Sequence, residues 1–534
     1  MPSPPPRTPA LSLGFEFEGW IVTRYDDVSY DDVKLSVSHP EVPSTGTNRT
    51  LDSLAGTEYN KDRPEPADFN PNHMRIPDLK TGNELLKSVL QVIQKALIGH
   101  HGEKLGSDMV ILELSQEHPD LGVHSKHNIV RERGTEQNLE RLMNGTKQVD
   151  MKKNLSRRDS QVLRDQAYFV GFEYRPRIYQ NVRVGYQEIW AELRPIINAL
   201  TTKFPISVNA GNNVYFRLPD HIPGHDRVQQ GEARSGLHIH VGADGVFEHL
   251  DQNLEPEELR AKMAPRILAA KKLLTLYWLV EPNLQELHAS WRSEDARYSG
   301  LLRTHSNLAF YPQVKEKAGV KQPVQHWFHE TDDRLQKEGS YEKAFYNLKD
   351  FNGVSEKPSD TSIVQILRKT LGTRVTEHSW AAIDTIWKTA NMDQLAWLAS
   401  SYFGNRRSSL NLHQLLPPGN KFSGGSVRKS DQRTGTMEFR LMQGSFDVNA
   451  IAAWTDVVLQ LTEACVTGDQ ARYVEFVGRA VGNPDQKMTG DKTKAFIERL
   501  GLDKGSYAYK FYHDGRRAEL DRQADPRDVL TVRY

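Results

Sequence analysis

Cysteine is nearly absent: Cys465 is the only one in 534 residues, so no intramolecular disulfide can form and a thiolate cage for zinc is excluded. That usage fits a reducing compartment. Long apolar runs are also missing. None approaches the ~18 residues of a membrane span, and the opening Met1 to Ala10, proline-rich with Arg7, lacks the apolar core of a secretory signal. A cytoplasmic protein without a membrane partner is therefore expected. There is no charge of one sign in excess either, because Lys plus Arg and Asp plus Glu each count 69. The global balance gives no pull towards nucleic acid, and no nucleic-acid partner is expected. Any basic binding surface must be local.

What the chain does have is 38% hydrophobic and 26% charged residues, the balance of a globular protein with extra polar surface in loops. Its length allows roughly two to four average domains, or one elaborated catalytic domain with insertions. No internal repeat is visible.

Residues 1–10 read as a disordered tail and 11–22 as a strand in which apolar and acidic residues alternate. Residues 26–80, 131–166 and 315–375 are polar, weakly periodic and read as insertions. Leu85, Leu86, Val89, Leu90, Ile93 and Leu97 fall at helical spacing, as do Ile189, Trp190, Leu193, Ile196, Ile197 and Leu200. Further helices are predicted over about 256–280, where Glu255, Glu257 and Glu258 favour an N-terminus, and over about 449–466. Met109 to Leu114, Tyr168 to Tyr174 and Ser409 to Leu412 have strand character.

Against this background stand polar dyads split by one apolar residue and lying far apart: Glu16-Phe17-Glu18, His238-Ile239-His240 and Glu438-Phe439-Arg440. In strands, the period of two points each polar pair to one face and sends Phe17, Ile239 and Phe439 to the other. Taken singly, each has a plain structural explanation: a solvated edge strand, a pair of structural histidines, an intrastrand ion pair. A cupin-type metal site would want a Glu soon after His240, and Val241-Gly242-Ala243-Asp244-Gly245 supplies none. Together the dyads gather carboxylates, imidazoles and a guanidinium that a plain core does not bury unless cations or phosphates compensate the charge. Carboxylates bind hard divalent ions, imidazole can join them, and Arg offers a fork for phosphate, which is the inventory of phosphoryl transfer.

Gly14-Phe15-Glu16-Phe17-Glu18, Ser235-Gly236-Leu237-His238-Ile239-His240-Val241-Gly242 and Gly435-Thr436-Met437-Glu438-Phe439-Arg440 resemble, in this order, the sheet motifs of the glutamine synthetase and glutamate-cysteine ligase superfamily, and within it the amidoligase family. Gly171-Phe172-Glu173-Tyr174-Arg175-Pro176 is similar to that family's acid-containing strand. Arg407-Ser408-Ser409-Leu410-Asn411-Leu412 is similar to its Arg to Asn-Leu strand, and Gly444-Ser445-Phe446-Asp447 with Trp454 follows the pattern. The islands spread over roughly 14–466. One departure is local: Arg175 stands where relatives more usually carry a small hydroxyl residue before the proline.

The resemblance implies an α+β fold, a glutamine synthetase-like curved and mainly antiparallel sheet with helices on its convex face. It implies an amidoligase-like catalytic domain over 11–470 carrying the three insertions, followed by a C-terminal extension, 471–534. It implies an ATP-dependent ligase joining a small-molecule or peptide carboxylate to an amine through an acyl phosphate. Glu16, Glu18, Glu173, His238 and Glu438 then look like ligands of two or more Mg²⁺ or Mn²⁺ ions. His240 and Arg440 look like contacts to phosphate or the transferred group, and Arg407 and Asn411 like substrate or phosphate contacts. Glu192 and Glu232 stay open as further metal ligands, and Arg292, Tyr298 and Arg303 line the acceptor site by analogy or, equally well, belong to a polar helix-to-loop junction. A metal-dependent hydrolase or transferase on the same scaffold, or a noncatalytic ligand-binding relative, are the competing readings.

Overall fold

From Leu11 to Glu18 the odd positions are apolar and the even positions small or acidic, and this segment is the first half of the long strand β1 (Leu11–Arg24). The computed structural model describes residues 9–24, 79–111, 125–131, 167–203, 236–247, 250, 254–288, 300–309, 361–400, 408–416, 435–442, 447–482 and 492–513. Among them, β1 is joined by β2 (Asn128–Arg131), β3 (Ala167–Arg175), β4 (Leu237–Ala243), β5 (Leu410–Asn411) and β6 (Met437–Phe439) in one sheet of order β2-β3-β1-β4-β6-β5. Every pairing is antiparallel. The first half of β1 pairs with β4 and the second with β3, so one strand carries both halves of the sheet.

Alternation then divides the faces. Leu13, Phe15, Phe17, Phe172, Tyr174, Leu237, Ile239, Met437 and Phe439 are buried on the apolar face. Helices α1 (Leu79–His101) and α2 (Val182–Lys203) bury the periodic stripes expected of them, each fully buried aliphatic side chain contributing roughly 1.5–3 kcal/mol. Trp190 of α2 meets Phe15 edge-on, centroids 5.9 Å apart. On the same face, towards the β5 edge, the ring centroid of Tyr277 of α3 (Pro256–Gln285) lies 6.1 Å from that of Phe439. The molecule is thus a mixed α+β structure whose helices lie on the apolar face of an antiparallel sheet.

Helix α3 starts with Glu255 as N-cap, Pro256 in the first turn, and Glu257 and Glu258 where the dipole favours acid. Its middle is buried all round, including its cations. Arg266 donates to Leu415 O at 3.0 Å, Lys271 to Thr389 O at 2.6 Å and Lys272 to Thr467 O at 3.0 Å. The last two acceptors are the C-caps of α5 (Glu377–Lys388) and α7 (Val448–Val466), ends of negative dipole that a cation suits. Between α3 and α5 lies α4 (Thr361–Leu371), with Ile363, Val364, Leu367 and Leu371 buried. The end of the 315–375 stretch is therefore a packed helix, while 315–360 lies outside the described residues, as do 26–78 and 132–166. Short α6 (Met392–Ala399) is capped by Asn391, and α7 by Asp447, whose carboxylate accepts from Asn449 and Ala450 amides.

The chain beyond 470 joins the same core. In α8 (Gln470–Val481) the Tyr473 hydroxyl donates to Lys272 O at 2.8 Å, and in α10 (Tyr507–His513), reached through α9 (Lys492–Arg499), Ala508 N donates to the buried Asp456 carboxylate at 2.9 Å. The stretch Met109 to Leu114 is strand only in its beginning: Glu103–Asp108 is a short helix, Val110 forms one parallel bridge with His127, and 112–114 lie outside the described residues. None of the described helices is long and apolar enough to cross a membrane.

A buried polar knot lies behind β3. Glu192 of α2 accepts from Arg177 Nε at 2.9 Å, Arg177 Nη2 at 2.8 Å and the Tyr179 hydroxyl at 2.8 Å, and faces His101 Nε2 at 2.8 Å and His127 Nε2 at 3.2 Å. An ionised Glu only accepts, so His127 carries its proton on Nε2 and accepts a hydrogen bond from the Tyr174 hydroxyl at Nδ1, 2.8 Å away. The sequence left Glu192 open as a metal ligand. The structure ties it instead to groups that hold α1, α2, β2 and β3 together.

Candidate metal and anion site

The opposite face of the sheet carries the dyads. Register places Glu16 across from His238, Gly14 across from His240, Glu18 across from Glu173, His240 across from Glu438 and Asn411 across from Glu438. Residues hundreds of positions apart in the chain thereby share one patch. Glu16, His238 and Glu438 each offer a ligand atom, and these atoms lie within 4.8 Å of one another. His238 Nδ1 is 3.0 Å from Glu16 Oε2 and 3.6 Å from Glu438 Oε1, and His238 Nε2 is 3.7 Å from Glu18 Oε1. Glu18 also accepts the Gly236 amide at 2.6 Å, which fixes its second oxygen.

His240 Nδ1 meets the Thr436 hydroxyl at 3.2 Å, which turns Nε2 towards Glu16 Oε1, 3.2 Å away. That Nε2 is buried and makes no aligned hydrogen bond. Gly14 and Gly242 occupy polar-face positions beside it, and the space a side chain at Gly242 would need is taken by the Ser12 hydroxyl. Arg440 pairs with Glu438 Oε1 and its Nη1 comes within 3.4 Å of His238 Nδ1. Arg175, two residues beyond Glu173 and so on the same face, pairs with Glu173 and lies 4.0 Å from Glu16. Glu173 and Arg175 share the i, i+2 spacing of the dyads, so the sequence carries a signal for Arg175 beyond its departure from the family motif.

Asn411, expected at substrate or phosphate, commits both ends of its amide to protein. Nδ2 donates to Glu438 Oε2 at 2.6 Å and Oδ1 accepts the His413 amide at 2.9 Å, so Asn411 sets the orientation of Glu438. Arg407, Glu232, Arg292 and Tyr298 lie outside the described residues. Arg303 sits in the helical layer, its amide donating to the buried Glu281 at 2.8 Å and its guanidinium over the Trp278 ring.

The electrostatics follow from crowding. Burial pushes the Glu16 carboxyl up, but the charge of His240, 3.2 Å away, and the hydrogen bond with His238 hold it well below the usual range. Burial likewise opposes Glu438, and Arg440 with His240 and His238 outweighs it, leaving that carboxyl lowered. Glu173 goes the other way: burial, with the like charges of Glu16 and Glu18, outweighs Arg175 and pushes it up to about 7. Burial opposes protonation of His240, yet Glu16, Glu438 and Glu173 raise its pKa. Counted fully ionised and with neutral imidazoles, four carboxylates (Glu16, Glu18, Glu173, Glu438) face two guanidinium groups (Arg175, Arg440), a formal excess of two negative charges that protons on Glu173 and His240 partly offset. Oxygen and imidazole donors with surplus negative charge suit hard divalent cations, and the arginines suit a phosphate bound to them.

No family model, curated protein or solved structure matches this chain.

Proposed function

We propose that this protein is an ATP-dependent carboxylate–amine ligase, working through an acyl phosphate on a glutamine synthetase-like sheet. The observation that carries the reading is the convergence of Glu16, His238 and Glu438 from three strands, with Arg440 in contact with two of them. A carboxylate resists amines because it is a poor electrophile with no leaving group, and transfer of a phosphoryl group to it supplies one. The amine then attacks the carbonyl carbon, phosphate departs, and ADP is released beside the amide.

Glu16, Glu18, Glu173, His238 and Glu438 would hold two or more Mg²⁺ or Mn²⁺ ions, whose role when bound is to neutralise the triphosphate and polarise the transferred phosphoryl group. The remaining work falls to side chains. Arg440 offers a planar fork to the equatorial oxygens of the phosphoryl group, and its burial beside Glu438 keeps it fixed before the reaction. His240, held by Thr436, keeps Nε2 beside Glu16, where it would meet a phosphate oxygen of a nucleotide bound to the ions. Asn411 is a positioning residue. Its replacement in Asn411→Ala is expected to weaken Mn²⁺ binding by about tenfold, as loss of a partner to a ligating carboxylate does, with little change in the thermal midpoint. Titration with Mn²⁺ alone checks this.

The decisive experiment is a nucleotide-turnover screen against pools of carboxylates and amines with mass detection of products. ADP, phosphate and an amide are expected only when both pools are present. AMP and pyrophosphate would replace the acyl phosphate with an adenylate route, and absence of ATP binding in the presence of Mg²⁺ would leave a metal-dependent hydrolase or transferase as the better reading.

A further inference from the structure

Glu173 and Arg175 occupy the same face of β3 and are bound to each other, with Arg175 Nε also 4.0 Å from Glu16 Oε1. The guanidinium therefore stands between two carboxylates, where a cation joining them would stand. Its side chain is 40% exposed while that of Glu173 is 7% exposed, so the arginine reaches in from the rim over a buried acid. Among the described residues, the ligand atoms that converge within 4.8 Å belong to Glu16, His238 and Glu438, and Glu173 is not one of them.

We propose that Arg175 is a tethered counter-ion that fills the Glu173 end of the site, so that divalent ions enter first at Glu16, His238 and Glu438. Glu173 becomes a ligand only when Arg175 leaves. The proposal rests on the metal-binding part of the proposed function. A guanidinium beside Glu173 repels an incoming divalent ion and already satisfies the carboxylate that ion would use. Its exposed stem gives it somewhere to go, and the natural acceptor for a released fork is an anionic phosphate group. Metal at the Glu173 end and anion at Arg175 should then favour each other reciprocally.

The test is Mn²⁺ titration of the full-length, nucleotide-free protein, following free Mn²⁺ by its electron paramagnetic resonance signal. Arg175→Gln should add an ion or tighten the weaker class on the order of tenfold or more, as removal of a neighbouring positive charge does. Arg175→Lys should keep the wild-type isotherm. Glu173→Gln should leave the first ion of the wild type intact and remove the ion gained by Arg175→Gln. An unchanged isotherm for a folded Arg175→Gln protein overturns the proposal, and so does loss of the first ion in Glu173→Gln, an arm that decides the matter even where Arg175→Gln fails to fold. If neither wild type nor Arg175→Gln binds Mn²⁺, the metal reading falls with it, whereas Mn²⁺ binding indifferent to Arg175 sinks this inference alone.

Discussion

Glu438→Gln is expected to abolish turnover and weaken divalent-ion binding in a protein that still folds. The wild-type carboxylate is 4% exposed and fully engaged: Oε2 takes the Asn411 amide at 2.6 Å, and Oε1 faces Arg440 and lies 3.6 Å from His238. Both neighbours are donors, and Asn411 cannot turn round because its Oδ1 is held by the His413 amide. A glutamine has one oxygen and one NH₂, so whichever way it turns its NH₂ faces a donor. The lost hydrogen bond costs about 1–3 kcal/mol, a tolerable share of the ~5–15 kcal/mol that a folded protein has in hand. On the proposed function the functional effect is larger, because the change would remove both a ligand charge and the partner of Arg440, the group assigned to the transferred phosphoryl. A drop in kcat of about a thousandfold is expected, read by phosphate release, with Mn²⁺ titration and a thermal melt on the same sample. Wild-type turnover in a folded Glu438→Gln protein would take this residue out of the chemistry.

Glu192→Ala is expected to produce the largest loss of stability, about 3–5 kcal/mol, because breaking a buried ion network strands its partners. His127 is fully buried and Tyr179 nearly so, and neither can turn to water for the bond that Glu192 supplied. Arg177 is about one-third exposed and softens the loss somewhat. Urea denaturation measures the difference, and a change below about 1 kcal/mol would mean the knot is not stabilising. The pH dependence adds a second signature. Burial pushes the Glu192 carboxyl up, but hydrogen bonds from His127 and Arg177 outweigh it and leave it strongly depressed. Its contribution is therefore present above the unfolded carboxylate pKa of about 4.3 and is lost as pH falls below that value. His127, lowered from 6.5 chiefly by burial, also removes stability on acidification, from about 6.5 downwards, because only the unfolded chain gains its proton readily. Glu192→Ala should flatten the more acidic of these limbs.

Much of the site was legible because strand periodicity is a local property. Glu16, Glu18, His238, His240 and Glu438 declare their shared face through i, i+2 spacing alone, and the flanking Phe17, Ile239 and Phe439 declare the core side. Which strands lie side by side is not local. That Glu16 meets His238, or that Asn411 holds Glu438 instead of reaching outwards, depends on register between segments far apart in sequence. The helical stripes of α1 and α2 were visible for the same local reason, whereas α4 was hidden at the end of a polar stretch whose mean composition masked Ile363, Val364, Leu367 and Leu371. Glu192 looked like a spare acid near a metal site. Only the packing of α2 behind β3 sends it to the other side of the sheet.

The lysines of α3 have a consequence of their own. Lys271 and Lys272 keep their amines inside the molecule, hydrogen-bonded to Thr389 O and Thr467 O. Reagents that acylate surface lysines pass over them while the helix keeps its seat, so their labelling gauges whole-molecule opening as distinct from fraying at the edges.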